Sequence, residues 1–257
     1  MRKAILSLIP ILLPLILPAG NPIKTSLGFR ENKGQIAFTD GKPASQVLFK
    51  ITGTAPGIFI TTSGITYVFY QKEDISGNEN GSKMNWSKVE MLLKDADIRA
   101  ENIKTENELP GVANFYYPHC ADGVLSVKTW KKVTIADVYP GIDWILNADD
   151  SKGLSYDFVV HPGADLSQIK AVYKGATSIS LREANTQLIL RSLYGDITEG
   201  ALHVYEKGGK KIKATFKVRG KELTYSIPAY DSRYDLIIDP PLQWSQKQLS
   251  TGFDYGN

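Results

Sequence analysis

The sequence predicts an all-β protein, antiparallel and β-sandwich-like, made of two packed β-modules with little helix. Three observations carry this. Apolar residues recur at every second position, the period of a half-buried strand. Helical spacing is nearly absent, with ADLSQIK (164–170) the one modest candidate for a turn of helix. The apolar runs are short and are separated by turn-forming Gly, Pro, Asn and Asp, the pattern of a sandwich or barrel.

The elements follow in order. QVLFKIT places Val47, Phe49 and Ile51 on one face. GIFITTSGITYVFYQK reads as two strands around Thr62-Ser63-Gly64, with Ile65, Tyr67 and Phe69 opposed to Thr66, Val68 and Tyr70. KEDISGNENGSKMN is a polar loop, and Trp86–Lys94 resumes a strand with Val89, Met91 and Leu93 inward. VANFYYP is a further short strand. A soft boundary near Pro118–Gly123 divides an N-terminal module, 28–118, from a C-terminal one, 124–241, with one continuous sandwich as the alternative. In the second, IDWILN and LSYDFVV flank the polar tip ADDSKG as a hairpin. QIKAVYK, SISL, LILRSL and ALHVYEK come at short intervals, and KIKATFKVRG alternates Ile212, Ala214, Phe216 and Val218. Gly220-Lys221 turns the chain into LTYSIPAY, and YDLIIDP ends at Pro240-Pro241. Residues 242–257 are polar and aromatic-dotted, and are expected to form a tail or the start of a downstream repeat of a longer protein.

The first 20 residues carry Arg2 and Lys3, an apolar run from Ala4 to Leu17 and small residues at Ala19 and Gly20. This is the layout of a secretory signal peptide. The run is short for a spanning helix and is interrupted by Pro10, Pro14 and Pro18. The expected location is therefore outside the cell or on its surface, with the membrane involved only in export. Formal charge is +3, two of those positives lying in the signal, so there is no electrostatic footprint for nucleic acid. KKIK at Lys210–Lys213 follows Gly208-Gly209 and reads as a solvated hairpin end. The single cysteine, Cys120, excludes an internal disulfide and a cysteine-rich zinc set. Beside His119 on a strand it would point to the opposite face.

The richest stretch chemically is DVYPGIDWILNADDSKGLSYDFVVHPGAD (137–165). Its acids each have a local duty. Asp137 and Asp143 flank the Tyr139-Pro140-Gly141 turn, Asp149 and Asp150 sit on a hairpin tip, and Asp165 stands where an N-cap would. A sharper reading sets Asp143 with Asp157 across a hairpin, or with Asp165, as a carboxylate pair, since glycoside hydrolysis needs two such groups about 5–10 Å apart. Trp144 would then be a sugar-stacking platform. Trp144, Asp143, Asp157, His161 and Asp165 are the candidate binding residues. No residue is assigned a catalytic or metal-ligating role, and no cofactor is expected. G-x-S-x-G, H-E-x-x-H and the D-x-D-x-D-G calcium loop are all missing.

ENKGQ (Glu31–Gln35), VKTWKKVTIADVYPGIDWIL (Val127–Leu146), GLSYDFVVHPGADLSQIK (Gly153–Lys170) and LIIDPPLQWS (Leu236–Ser245) carry a resemblance to a known family. They resemble a β-rich N-terminal domain of unknown function found in secreted bacterial proteins ahead of SBBP-type β-propeller repeats. Those proteins often end in a sorting or gliding-motility-associated domain. The tail STGFDYGN is similar to the family's lead-in to its first repeat, without the double glycine. The resemblance implies export and a scaffold or adhesive role, with downstream propeller repeats or cell-surface components as partners. It brings no activity with it.

The expected function is that of an exported, non-catalytic scaffold or adhesion module. The alternative is a glycan-binding or carbohydrate-active domain that uses surface aromatics and the Asp143/Asp157 region. Coplanar exposed rings in a groove would favour glycan binding, and carboxylates sealed in turn hydrogen bonds would count against catalysis.

Overall fold

A computed structural model of the chain describes residues 26–38, 40–74 and 82–246. The expected signal peptide, the centre of the KEDISGNENGSKMN loop and the chain beyond residue 246 lie outside the described residues. Twenty strands are seen: β1 (Gly28–Glu31), β2 (Val47–Thr52), β3 (Gly57–Thr61), β4 (Gly64–Asp74), β5 (Ser82–Leu93), β6 (Ile103–Glu108), β7 (Ala113–Tyr117), β8 (Cys120–Val127), β9 (Thr129–Tyr139), β10 (Ile142–Asp149), β11 (Gly153–Val160), β12 (Ala171–Lys174), β13 (Ser178–Arg182), β14 (Gln187–Arg191), β15 (Gly195–Glu199), β16 (His203–Glu206), β17 (Thr215–Arg219), β18 (Glu222–Ser226), β19 (Leu236–Asp239) and β20 (Leu242–Gln246). The described helix amounts to single 3₁₀ turns at Ala100–Asn102 and Leu166–Gln168. The all-β, antiparallel, sandwich-like expectation holds.

Most strands join one open 14-stranded sheet in the order β16-β19-β11-β10-β9-β1-β2-β3-β4-β5-β12-β18-β17, with β6 also paired to β9. A second sheet runs β13-β14-β15-β20, and β7-β8 form a separate hairpin. Strands from either side of residues 118–123 share the large sheet. β1 lies between β2 and β9, and β12 pairs with β5. Trp130 is paired on both sides, to Phe29 and to Glu108.

The period-2 pattern explains the faces. Ile142, Trp144, Leu146 and Ala148 of β10 are buried, as are Leu154, Tyr156, Phe158 and Val160 of β11, while the residues between them face outward. The inward rings pack edge to face or stacked: Trp144 lies parallel to Phe158 at 6.2 Å, and Tyr156 meets Phe158 at 76°. Ile65, Tyr67 and Phe69, and Val89, Met91 and Leu93, are buried as the alternation predicts.

The two sheets meet over one carboxylate. Glu199 of β15 is fully buried and accepts hydrogen bonds from Tyr156 of β11 (2.7 Å) and Tyr173 of β12 (2.6 Å). Burial pushes its carboxyl above the ordinary value, and the two phenol donors offset part of that rise. Close approach is possible because β15 starts at a glycine. A Cβ on Gly195 would lie 2.0 Å from Cδ1 of Phe69.

The tail begins later than expected. Leu242–Gln246 form β20, pair with β15 and bury Leu242. Pro240 and Pro241 do end β19, but the Pro241 carbonyl accepts the Gly200 amide at 2.9 Å. The proline pair therefore carries the chain from one sheet to the other instead of out of the domain.

Candidate functional site

The outer face of β1, β2 and β3 presents a cross-strand row. Arg30 stands opposite Lys50, and Lys50 opposite Phe59. On the other side Arg30 faces Thr129 of β9. Side chains alternate along a strand. With Phe29, Phe49 and Ile51 directed into the core, Arg30 and Lys50 must point outward.

Two segments rise beside this floor. One is the turn after β1, built from ENKGQ. Asn32 Nδ2 donates to the carbonyls of Ala44 (3.1 Å) and Val47 (2.8 Å), and its Oδ1 accepts the Gly34 amide (3.0 Å). The buried Gln35 accepts from the Lys33 amide and donates to the Glu31 carbonyl. Gly34 has φ +107°, which accommodates the turn. Glu31 itself accepts from Trp130 Nε1 at 2.8 Å. The other segment is the β7-β8 hairpin. His119 at its tip donates from Nε2 to the Gln35 carbonyl (3.2 Å), tying hairpin to turn.

Between them lies a groove of about 650 Å³, whose lining includes Arg30, Gln35, Lys50, Phe59, Phe115 and Tyr117. Its rings form a ladder. Phe115 and Tyr117 stack at 6.0 Å and 27°, and Tyr117 and His119 at 5.5 Å and 12°. Tyr117 is 45% exposed. The Arg30 guanidinium lies 5.9 Å from the Phe115 centroid, and the Lys50 ammonium 6.0 Å from that of Phe59. Tyr116 points to the other side of the hairpin, against Gly123. Near-parallel stacked rings flanked by cations, with Tyr117 the exposed one, can hold a flat ligand by stacking and by charge. Cys120, one residue beyond the ladder, is a half-buried free thiol.

The residues singled out in the acidic span lie elsewhere. Trp144 is fully buried against Phe158, so it offers no ring face to a sugar, and that expectation is corrected. Its phase with Ile142 and Leu146 on β10 is the signal that points it into the core. Asp165 caps the 3₁₀ turn through the Ser167 amide (2.9 Å) and hydroxyl (2.8 Å), which hold its carboxyl below the ordinary value. Asp143 accepts the Asp137 amide (2.9 Å) and bonds His161 Nε2 (3.1 Å). His161 Nδ1 reaches Asp235 (3.0 Å), which also pairs with Lys207 (2.9 Å). The Asp235 bond, aided by Asp143, raises the imidazole above its ordinary value despite an opposing desolvation.

Asp157 shares the outer face of the hairpin with Asp143, as a diagonal neighbour at roughly 7–8 Å in such a sheet. Continued by one residue, the β11–β19 register that pairs Phe158 with Ile238 sets Asp239 opposite Asp157, and Asp239 pairs with His203 on β16. Partial burial, reinforced by the Asp239 charge, pushes Asp157 up to about 6, while its bond from Asn147 (3.3 Å) offsets part of this. Burial raises Asp239 too, with His203 opposing. Among the described residues no group of three or more His, Cys, Asp or Glu is arranged to hold a metal ion. The sequence singles out Asp143, Asp157, His161 and Asp165, with Asp143 set against Asp157; it does not reveal the bond from His161 to Asp143, or the places of Asp235, Asp239 and the aromatic groove.

Residues 29–241 match the family model described as Domain of unknown function (DUF7948). Neither a curated protein nor a solved structure gave a match.

Proposed function

The chain belongs to the DUF7948 family of domains of unknown function, and on that premise we propose that it is an exported, non-catalytic interaction module that binds glycans in the groove beside β1–β3. The observation that carries this is the ring ladder Phe115–Tyr117–His119, near-parallel stacked rings along one wall of a groove with Tyr117 exposed. The C–H face of a pyranose packs on an exposed ring such as Tyr117, which its stacked neighbours hold in place. Export is supported by the signal-like first 20 residues. A surface setting, beside SBBP-type repeats or other cell-surface components, is supported by the resemblance of the four conspicuous segments. The non-catalytic reading is supported by Asp143 and Asp165, whose carboxylate oxygens are engaged by His161, the Asp137 amide and Ser167.

A glycan array probed with the purified protein tests this. We expect saturable binding that Tyr117→Ala weakens roughly tenfold, the loss typical of an aromatic anchor, with the fold unchanged by circular dichroism. A blank array, or hits indifferent to Tyr117, would overturn the reading.

A further inference from the structure

The groove is cationic as well as aromatic. Arg30 and Lys50 are direct cross-strand neighbours on one face, an arrangement of like charges that destabilises a sheet. Neither makes an ion pair among the described residues: Arg30 Nε donates to Thr129 Oγ1 (3.2 Å), and Lys50 leans over Phe59. None of the residues lining the groove is acidic. The adjacent acids are engaged elsewhere, Glu31 with Trp130 and Lys33, and Asp40 with Lys42. Building two unneutralised cations into an aromatic floor costs stability that a bound anion would return.

Resting on the glycan reading above, we infer that the groove selects sugars bearing oxyanions, either the carboxylates of uronic acids or the sulfate esters of sulfated sugars. The Arg30 guanidinium presents a planar fork that matches two oxyanion oxygens, and Lys50 adds a point charge beside it. The ladder stacks the rings while the two cations hold the charged substituents, so discrimination falls on charge and not on ring size.

Calorimetric titration of the purified protein separates the cases. The probes are a galacturonate hexamer with its methyl ester, and a sulfated galactan hexamer with its desulfated form. We expect at least one acidic hexamer to bind roughly tenfold or more tightly than its own neutral counterpart, the scale of a hydrogen bond to a charged group. Lys50→Gln, at an exposed position, and Arg30→Gln should each shrink that difference, and added salt should do the same. Which acidic hexamer binds distinguishes carboxylate from sulfate. If both bind no better than their neutral forms while array glycans still bind, charge selection is wrong and the glycan reading stands. Absence of binding to every glycan sinks both.

Discussion

Tyr173 donates its hydroxyl to Oε1 of Glu199 at 2.6 Å, and both side chains are buried where the two sheets meet. Removing the donor leaves a buried acceptor short of a partner. Tyr173→Phe should lower unfolding free energy by about 1–3 kcal/mol, the penalty for leaving a buried polar group unsatisfied, read from urea midpoints at pH 7.

Glu199 also sets a pH dependence. Its folded pKa is raised above the ordinary 4.5 by burial. The folded state therefore holds this proton more tightly than the unfolded chain. The resulting stability is present below pH 4.5 and is lost as pH rises through the folded value. Glu199→Gln should flatten that decline, and identical slopes for the variant and the parent would refute the assignment.

Asp157 acts in the same direction. Its pKa rises from 3.8 to about 6, so stability present below 3.8 is lost as pH climbs through 6. Asp157→Asn should be more stable than the parent at pH 7, by about 1 kcal/mol once solvent screening of a partly exposed group is allowed for. Below pH 3.8 the two should converge. NMR titration of the carboxyl carbon reads the pKa directly.

His161, held between Asp143 and Asp235, titrates above its ordinary 6.5. Its contribution is complete below pH 6.5 and disappears as pH rises through the folded value. His161→Leu should therefore lose more midpoint relative to the parent at pH 5 than at pH 9. A constant gap would mean that the ring serves by packing alone.

Gly195→Ala should cost about 1–3 kcal/mol, as expected for a methyl forced into a filled core. The added carbon would fall 2.0 Å from Cδ1 of Phe69, whose ring is fully buried. Thermal unfolding checks this, and Phe69→Leu in the same chain should recover part of the loss.

Much of the fold was legible because period-2 alternation is a local property. Val47, Phe49 and Ile51 share a phase, as do Ile65, Tyr67 and Phe69, and both sets are buried. Asp165 as a cap and the turn at Gly141, with φ +72°, follow from residues within a few positions of each other. The groove was not legible, because it depends on register between distant segments. Nothing near Arg30 indicates that Lys50 stands beside it, or that Phe115 lies over its guanidinium. Asp239 was missed for the same reason: its place opposite Asp157 exists only once β19 has docked on β11.

The position of β1 has a consequence for the order of assembly. This four-residue strand lies in the interior of the large sheet, yet it is nearly the first piece of the domain to be synthesised. Its partner β2 follows closely, but its other edge waits for β9. Arg30 and Thr129, which close that seam, are 99 residues apart in the chain. Until Thr129 and Trp130 have emerged, any nascent chain carries an unpaired edge at β1 and cannot complete its core. A seam joined across such a separation closes late and slowly. The domain is thus held open through roughly half its synthesis by topology alone, and its first strand is secured only when the middle of the chain arrives.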